Sequence, residues 1–143
     1  MVSQTIQIGA PLQTVYDCVL DFESYPQFLT DVKTAKIAWC EDKQMEVAFS
    51  LHLIKDISYT LSFELDPPHG IYWKLKNGQW MKKNTGSWEL KSLSGEKTSA
   101  KYSLDVELSL WVPQTITAAL VEKTLPQTLK AFKKRSEKIF RKK

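Results

Sequence analysis

The sequence holds two cysteines, Cys18 and Cys40, two histidines, His52 and His69, and five glycines in 143 residues. The cysteines fall in no CxxC or other ligand spacing, so neither a zinc site nor a disulfide scaffold is expected. Each reads instead as a small buried or half-buried side chain. Two isolated histidines leave little imidazole for proton transfer. His52 falls on a polar strand position and His69 in a Pro-Pro turn, where exposure is the simpler expectation. The chain has no GxGxxG, no P-loop, no GxSxG and no HExxH. No metal, no cofactor and no catalytic residue is therefore expected. No stretch approaches the roughly 18 uninterrupted apolar residues of a spanning helix. The opening MVSQTIQIGAP lacks a basic segment followed by an apolar run, so no secretory signal is expected. A cytoplasmic location follows as the default.

Aromatic side chains are plentiful: five Trp, five Tyr and six Phe. A fold of this length, expected to be one domain over residues 1–143, needs a large core or a lined cavity to house them. Hydrophobic residues make up 43% and charged residues 25%, ordinary for a globular protein. The net charge of +4 is unevenly placed. From Thr128 to Lys143 there are eight basic residues and one acid, Glu137, so the remainder of the chain is acidic. The pI of 9.0 thus belongs to one segment and does not predict DNA binding.

That segment ends a helix-like stretch from Pro113. Val121, Leu125, Leu129, Phe132 and Ile139 recur at helical intervals, with Phe140 beside the last. Pro113 suits a first turn. Pro126 predicts a kink or a restart near Thr124, where Thr124-Leu125-Pro126-Gln127 has the form of a capping box. A bent helix and a gating hinge both fit.

The preceding chain is largely strand-like. Residues 2–9 read as a strand, Pro11 opens a helix through Leu20, and Ser24-Tyr25-Pro26-Gln27 predicts a second short helix. Strands follow at residues 32–40, 45–53, 57–65 and 71–75, then from Gly86 to Leu93 and from Thr98 to Val112. Asp66 to Gly70 and Asn77-Gly78 mark turns between them. Met45, Val47, Phe49, Leu51 and Leu53 alternate with polar residues, as do Ile57, Tyr59, Leu61, Phe63 and Leu65. Leu104, Val106, Leu108 and Leu110 continue the same phase in the last strand. Such alternation means one buried and one wet face, hence an antiparallel sheet covered on one side. The predicted class is α+β: a curved antiparallel sheet with two short helices and a long C-terminal helix over its concave face.

A long helix over a curved sheet leaves space beneath it, a candidate ligand cavity. Phe49, Tyr59, Leu61, Phe63, Trp73, Trp88, Tyr102 and Leu104 from the strands, with Val121, Leu125, Leu129 and Phe132 from the helix, are its expected lining. The same positions also fit an ordinary core. Trp39 and Trp80 flank turns and are candidates for the mouth. Inward carboxylates are absent from the alternating positions, so no acid–base pair is visible. The basic end, with Lys134, Lys138, Arg141, Lys142 and Lys143, reads either as a solvated helix terminus suited to the helix dipole or as a contact for an anionic surface.

Three segments resemble a known family. Tyr16 to Leu29, YDCVLDFESYPQFL, is similar to the "D-x-E-x-Y-P-x-F-L" stretch of the START-like polyketide cyclase/dehydrase superfamily. Asn77 to Trp88 looks like its glycine, then glycine-x-tryptophan pattern, and Ala131 to Ser136 like its terminal helix. The nearest branch is the coenzyme-Q-binding and ribosome-association toxin group. The resemblance implies the helix-grip fold and handling of a hydrophobic small molecule such as a lipid, quinone or polyketide. A polyketide aromatase/cyclase and a ribosome-associating regulator are the alternatives it leaves. Implied partners are the hydrophobic ligand and an anionic membrane surface or the ribosome, with the protein a monomer.

Overall fold

The computed structural model describes residues 1–52, 56–109 and 112–142, and every side chain among them except that of Leu120. Leu53, Leu110 and Lys143, which the sequence reading assigns to the inner face and to the basic end, lie outside the described residues.

Seven strands form one antiparallel sheet: β1 (Val2–Ile8), β2 (Val32–Glu41), β3 (Gln44–His52), β4 (Asp56–Asp66), β5 (Gly70–Gly78), β6 (Met81–Ser94) and β7 (Lys97–Leu108). Their spatial order is β1-β7-β6-β5-β4-β3-β2. The meander predicted after the first helices is therefore present, and β1 returns to the far edge beside β7. Between β1 and β2 lie α1 (Leu12–Leu20) and a short 3-10 helix (Phe22–Gln27); α2 (Gln114–Arg141) ends the chain. The sheet is curved, and the helices lie on its concave face, as in the helix-grip fold.

The strands form because apolar residues alternate with polar ones on one covered face. In β4, Ile57, Tyr59, Leu61 and Phe63 are buried while their neighbours are exposed or half-buried. Phe22 ties the helical corner to the sheet. It is almost wholly buried, and its ring lies 4.7 Å from Phe63 and 6.0 Å from Phe49 between centroids. Tyr25 caps the same corner, donating its hydroxyl hydrogen to the Val19 carbonyl.

The C-terminal third of α2 is fastened to the start of the chain. Glu137 Oε2 accepts from the Gly9 amide at 2.7 Å and from Lys133 Nζ at 2.7 Å, and Lys133 Nζ also donates to the Gln7 carbonyl at 2.9 Å. Thr98 Oγ1 donates to the Ala10 carbonyl at 2.8 Å within the core.

Several local expectations are corrected. Asn77 and Gly78 do not turn the chain; they pair with Thr60 and Tyr59 of β4. The reversal falls at Gln79-Trp80, with Trp80 at φ 63. Consequently β6 starts at Met81 and is 14 residues long, not a strand beginning at Gly86. Pro126 neither ends nor restarts α2, which runs unbroken for 28 residues. Its missing N–H orphans only the Glu122 carbonyl, on an exposed residue that water can reach. Pro11 opens α1 as its N-cap, and Pro113 likewise precedes α2 as N-cap instead of occupying the first turn. The 3-10 helix starts at Phe22, before the capping-box residues predicted to open it. Cys18 is buried and Cys40 exposed, and both are free thiols.

Candidate functional site: the cavity beneath the long helix

A cavity of about 520 Å³ lies between the sheet, the 3-10 helix corner and α2. The alternating strand positions build its floor. Phe49, Tyr59, Leu61, Phe63, Trp73, Trp88, Tyr102 and Leu104 all line it, as do Val121 and Phe132 of α2. Leu125 and Leu129, assigned to the lining from sequence, do not. Both are buried, Leu129 completely, on the stripe that holds the helix to the fold. The helical side that meets the cavity is rotated by one residue, about 100°. It carries Thr117, Val121, Thr124, Thr128 and Ala131.

The walls are continuous aromatic surface. Trp88 lies 4.7 Å from Tyr102 and 5.0 Å from Phe132 between centroids, the latter edge-to-face at 72°. Phe49 stacks on Tyr59 at 5.5 Å. Phe132 also meets Tyr25 and Phe28 edge-to-face, so its ring neighbours are Tyr25, Phe28 and Trp88. Trp39 and Trp80 are not part of the lining. Trp39 is exposed on the edge strand β2, and Trp80 is half-buried against the core. The mouth is marked instead by Thr30 and Gln127, exposed members of the lining, with Leu29 and Asp31 half-buried beside Thr30.

Polar groups in the cavity are few. Burial pushes the Tyr59 and Tyr102 hydroxyls far above the usual phenol range, and proximity to Tyr102 adds to the effect on Tyr59. Tyr25 is raised by the same burial. Asp31 is the one carboxylate among the described lining residues, and no Lys, Arg or His joins it there. It comes from the segment after the 3-10 helix, where strand alternation gives no signal. Asn84 was also missed. A bulge in β6 between Met81 and Lys83 turns both Met81 and Asn84 inward, in phase with Gly86, Trp88 and Leu90. Carrying the alternation back from Trp88 past Gly86 would have found it. Gly86 is required where it stands: a Cβ there would meet Trp73 Cζ2 at 2.4 Å and the Ser103 carbonyl oxygen at 2.5 Å. Its absence lets the Trp73 indole lie on the β6 backbone and donate from Nε1 to Asn84 Oδ1 at 3.0 Å.

Among the described residues no group of three metal-ligating side chains forms. His52 is exposed and lies 2.7 Å from Asp56 through Nδ1, away from the cavity. His69 is likewise no part of the lining. No described helix is long and apolar enough to cross a membrane. Of the basic end, Lys134, Lys138, Arg141 and Lys142 are exposed. Lys133 and Arg135 are engaged within the fold, Arg135 donating to Gln27 Oε1 at 3.1 Å and lying over the Phe28 ring.

The chain is similar in fold to a START superfamily protein from Mycobacterium smegmatis, with 24% identity and a TM-score of 0.85 over 96% of this chain and 97% of that one. It is also similar to the Zhui aromatase/cyclase from Streptomyces sp. R1128, at 17% identity and TM-score 0.84, covering 95% and 92%. A protein from Thermus thermophilus matches at 20% identity and TM-score 0.83, covering 94% and 95%. A search of curated proteins finds no match. The model of one family, described as polyketide cyclase / dehydrase and lipid transport, matches residues 8–133, from the end of β1 to the last third of α2. With the whole cavity inside the matched span, the chain belongs to the polyketide cyclase / dehydrase and lipid transport family.

Proposed function

We propose that the protein binds a hydrophobic small molecule, flat or lipid-like, in the cavity beneath α2, and does so without converting it chemically. The lining carries this reading. Aromatic and aliphatic walls surround about 520 Å³, within the range that holds a drug-sized ligand. Acid–base catalysis works best with groups that titrate near the operating pH. Here the phenols are driven away from neutrality, and Asp31 stands without a lining base. The assignment to the coenzyme-Q-binding and ribosome-association toxin branch is part of this proposal and rests on the resemblance of the three sequence segments taken together. The alternative, an aromatase/cyclase that folds a reactive chain by cavity shape, draws on the likeness in fold to the Streptomyces enzyme.

Native mass spectrometry of the purified protein, followed by organic extraction, tests the reading directly. A bound apolar molecule recovered unchanged is the expected result. Empty protein under every expression condition, with no displacement of a fluorescent fatty probe by lipids or quinones, would overturn it. Turnover of a poly-β-ketone chain into a cyclised product would replace it with the enzyme reading.

The outward face of α2 supports a second element of the proposal. Lys123, Lys130, Lys134 and Arg141 fall at helical intervals on the side away from the cavity, and all are exposed. We read this row, with Lys138 and Lys142, as an electrostatic contact with an anionic membrane surface, where each cation contributes about 1 kcal/mol.

A further inference from the structure

Three side chains of the cavity, Asn84, Tyr59 and Tyr102, each carry a hydrogen-bond donor. Trp73 Nε1–H can only donate, so the Asn84 atom it meets at 3.0 Å must be the carbonyl oxygen. The Asn84 amide nitrogen therefore points the other way. It donates to the Met81 sulfur at 3.7 Å, a weak acceptor. Asn84 is only 5% exposed, so a donor is held deep in the cavity with almost nothing to receive it. Tyr59 and Tyr102 also line the cavity, and each carries a phenol that can donate. Three donor-bearing groups thus face a space whose described lining contains no cation.

Resting on the proposed binding function, we infer that the cavity selects a neutral ligand bearing a hydrogen-bond acceptor oxygen, such as a ketone, and rejects carboxylates, with Asn84 as the specificity-determining residue. A ligand carbonyl would give the Asn84 amide a stronger acceptor than the Met81 sulfur, in a place where a poorly paired donor is costly. A carboxylate could accept the same bonds but would leave water for an apolar cavity without a counter-charge. Desolvation of an unpaired ion outweighs such bonds. Asp31 at the mouth opposes an anion further.

Three naphthalenes of matched size separate these effects: 2-acetylnaphthalene, 2-isopropylnaphthalene and 2-naphthoate, titrated at neutral pH against the intact protein by tryptophan fluorescence and calorimetry. The ketone should bind about tenfold tighter than the hydrocarbon, the worth of one neutral hydrogen bond. The naphthoate should bind on the order of a hundredfold weaker than the ketone. Asn84→Leu should remove most of the ketone's advantage over the hydrocarbon. Because that variant also strands the Trp73 N–H, the double variant Tyr59→Phe, Tyr102→Phe provides a second measurement with every ring contact kept, and should lower the ketone preference without weakening the hydrocarbon. Equal binding of ketone and hydrocarbon to the native protein, or naphthoate binding as tightly as the ketone, overturns the inference while leaving the binding function standing. Failure of all three, the hydrocarbon included, counts against the binding function itself.

Discussion

Replacing Phe132 and Leu129 in turn by alanine distinguishes the cavity wall from the core along a single helix. Phe132 is 2% exposed and makes edge-to-face contacts at 5.3 Å with Tyr25, 5.2 Å with Phe28 and 5.0 Å with Trp88. A Phe→Ala change at a core site costs about 3–5 kcal/mol, of which the void left behind is a substantial part. At Phe132 that void would merge with a cavity already present and open at Thr30 and Gln127, so the void term shrinks and the cost falls to about 3 kcal/mol. Leu129 is fully buried and does not border the cavity. Its truncation seals a new void inside the fold, so about 4 kcal/mol is expected despite the smaller side chain. Urea unfolding followed by tryptophan fluorescence measures both, and saturating ligand adds a second axis. Ligand should stabilise Leu129→Ala as much as the native protein but Phe132→Ala less. If Phe132→Ala costs clearly more than Leu129→Ala, or if ligand protects both variants equally, the placement of Phe132 in the wall is wrong.

Gly86→Ala forces a methyl group against Trp73 and the Ser103 carbonyl, neither of which can retreat cheaply. A loss of about 3 kcal/mol with a shifted tryptophan emission is expected, and an unchanged urea midpoint would contradict the close approach. Partial burial by itself would raise the Glu137 carboxyl, but the Lys133 and Gly9 hydrogen bonds and the charges of Lys133 and Arg141 outweigh it and hold it below its ordinary 4.5. Its contribution is therefore complete above that value and lost as pH falls through the lower folded one, so Glu137→Gln should unfold less steeply below pH 4.5 than the native chain. Co-sedimentation with anionic vesicles should occur at low salt, weaken at moderate salt, and disappear when Lys138, Arg141, Lys142 and Lys143 are neutralised. Supernatant-only protein at low salt, or pelleting with ribosomes in place of vesicles, would refute the membrane contact.

The sheet was legible because its physics is periodic. A strand covered on one face alternates, and residues such as Ile57, Tyr59, Leu61 and Phe63 cannot slip by one position without exposing every ring. The turn into β6 was not legible. Asn77-Gly78 is a strong hairpin signal, yet both residues pair with β4. The reversal passes through Trp80, held in a left-handed conformation that its residue type does not advertise. That displacement hid the first five residues of β6, and with them Asn84. A bulge then broke the count of two between Met81 and Asn84, so even a correct strand start would have left one of them out of phase.

The helix misled for a different reason. Hydrophobic periodicity finds the stripe that must be buried at all times, here Leu125 and Leu129, with Phe132 shared between that stripe and the cavity wall. A wall that borders a ligand space meets a different demand, since it has to be tolerable with the space filled and with it open. Threonine meets that demand. Thr117 Oγ1 reaches back to the Pro113 carbonyl at 3.4 Å and Thr124 Oγ1 to the Val121 carbonyl at 3.5 Å. Such back-bonding occupies the hydroxyl within the helix and leaves the β-branched methyl for the cavity. A row of threonines beside an apolar stripe therefore reads as polar surface in the sequence while presenting methyl groups in the fold. The apolar stripe marks where α2 is held, and the row beside it marks where α2 meets its ligand. Thr124→Val should accordingly leave apolar ligands bound as tightly as before, whereas Thr124→Leu, one methyl larger and straight into the space, should weaken them.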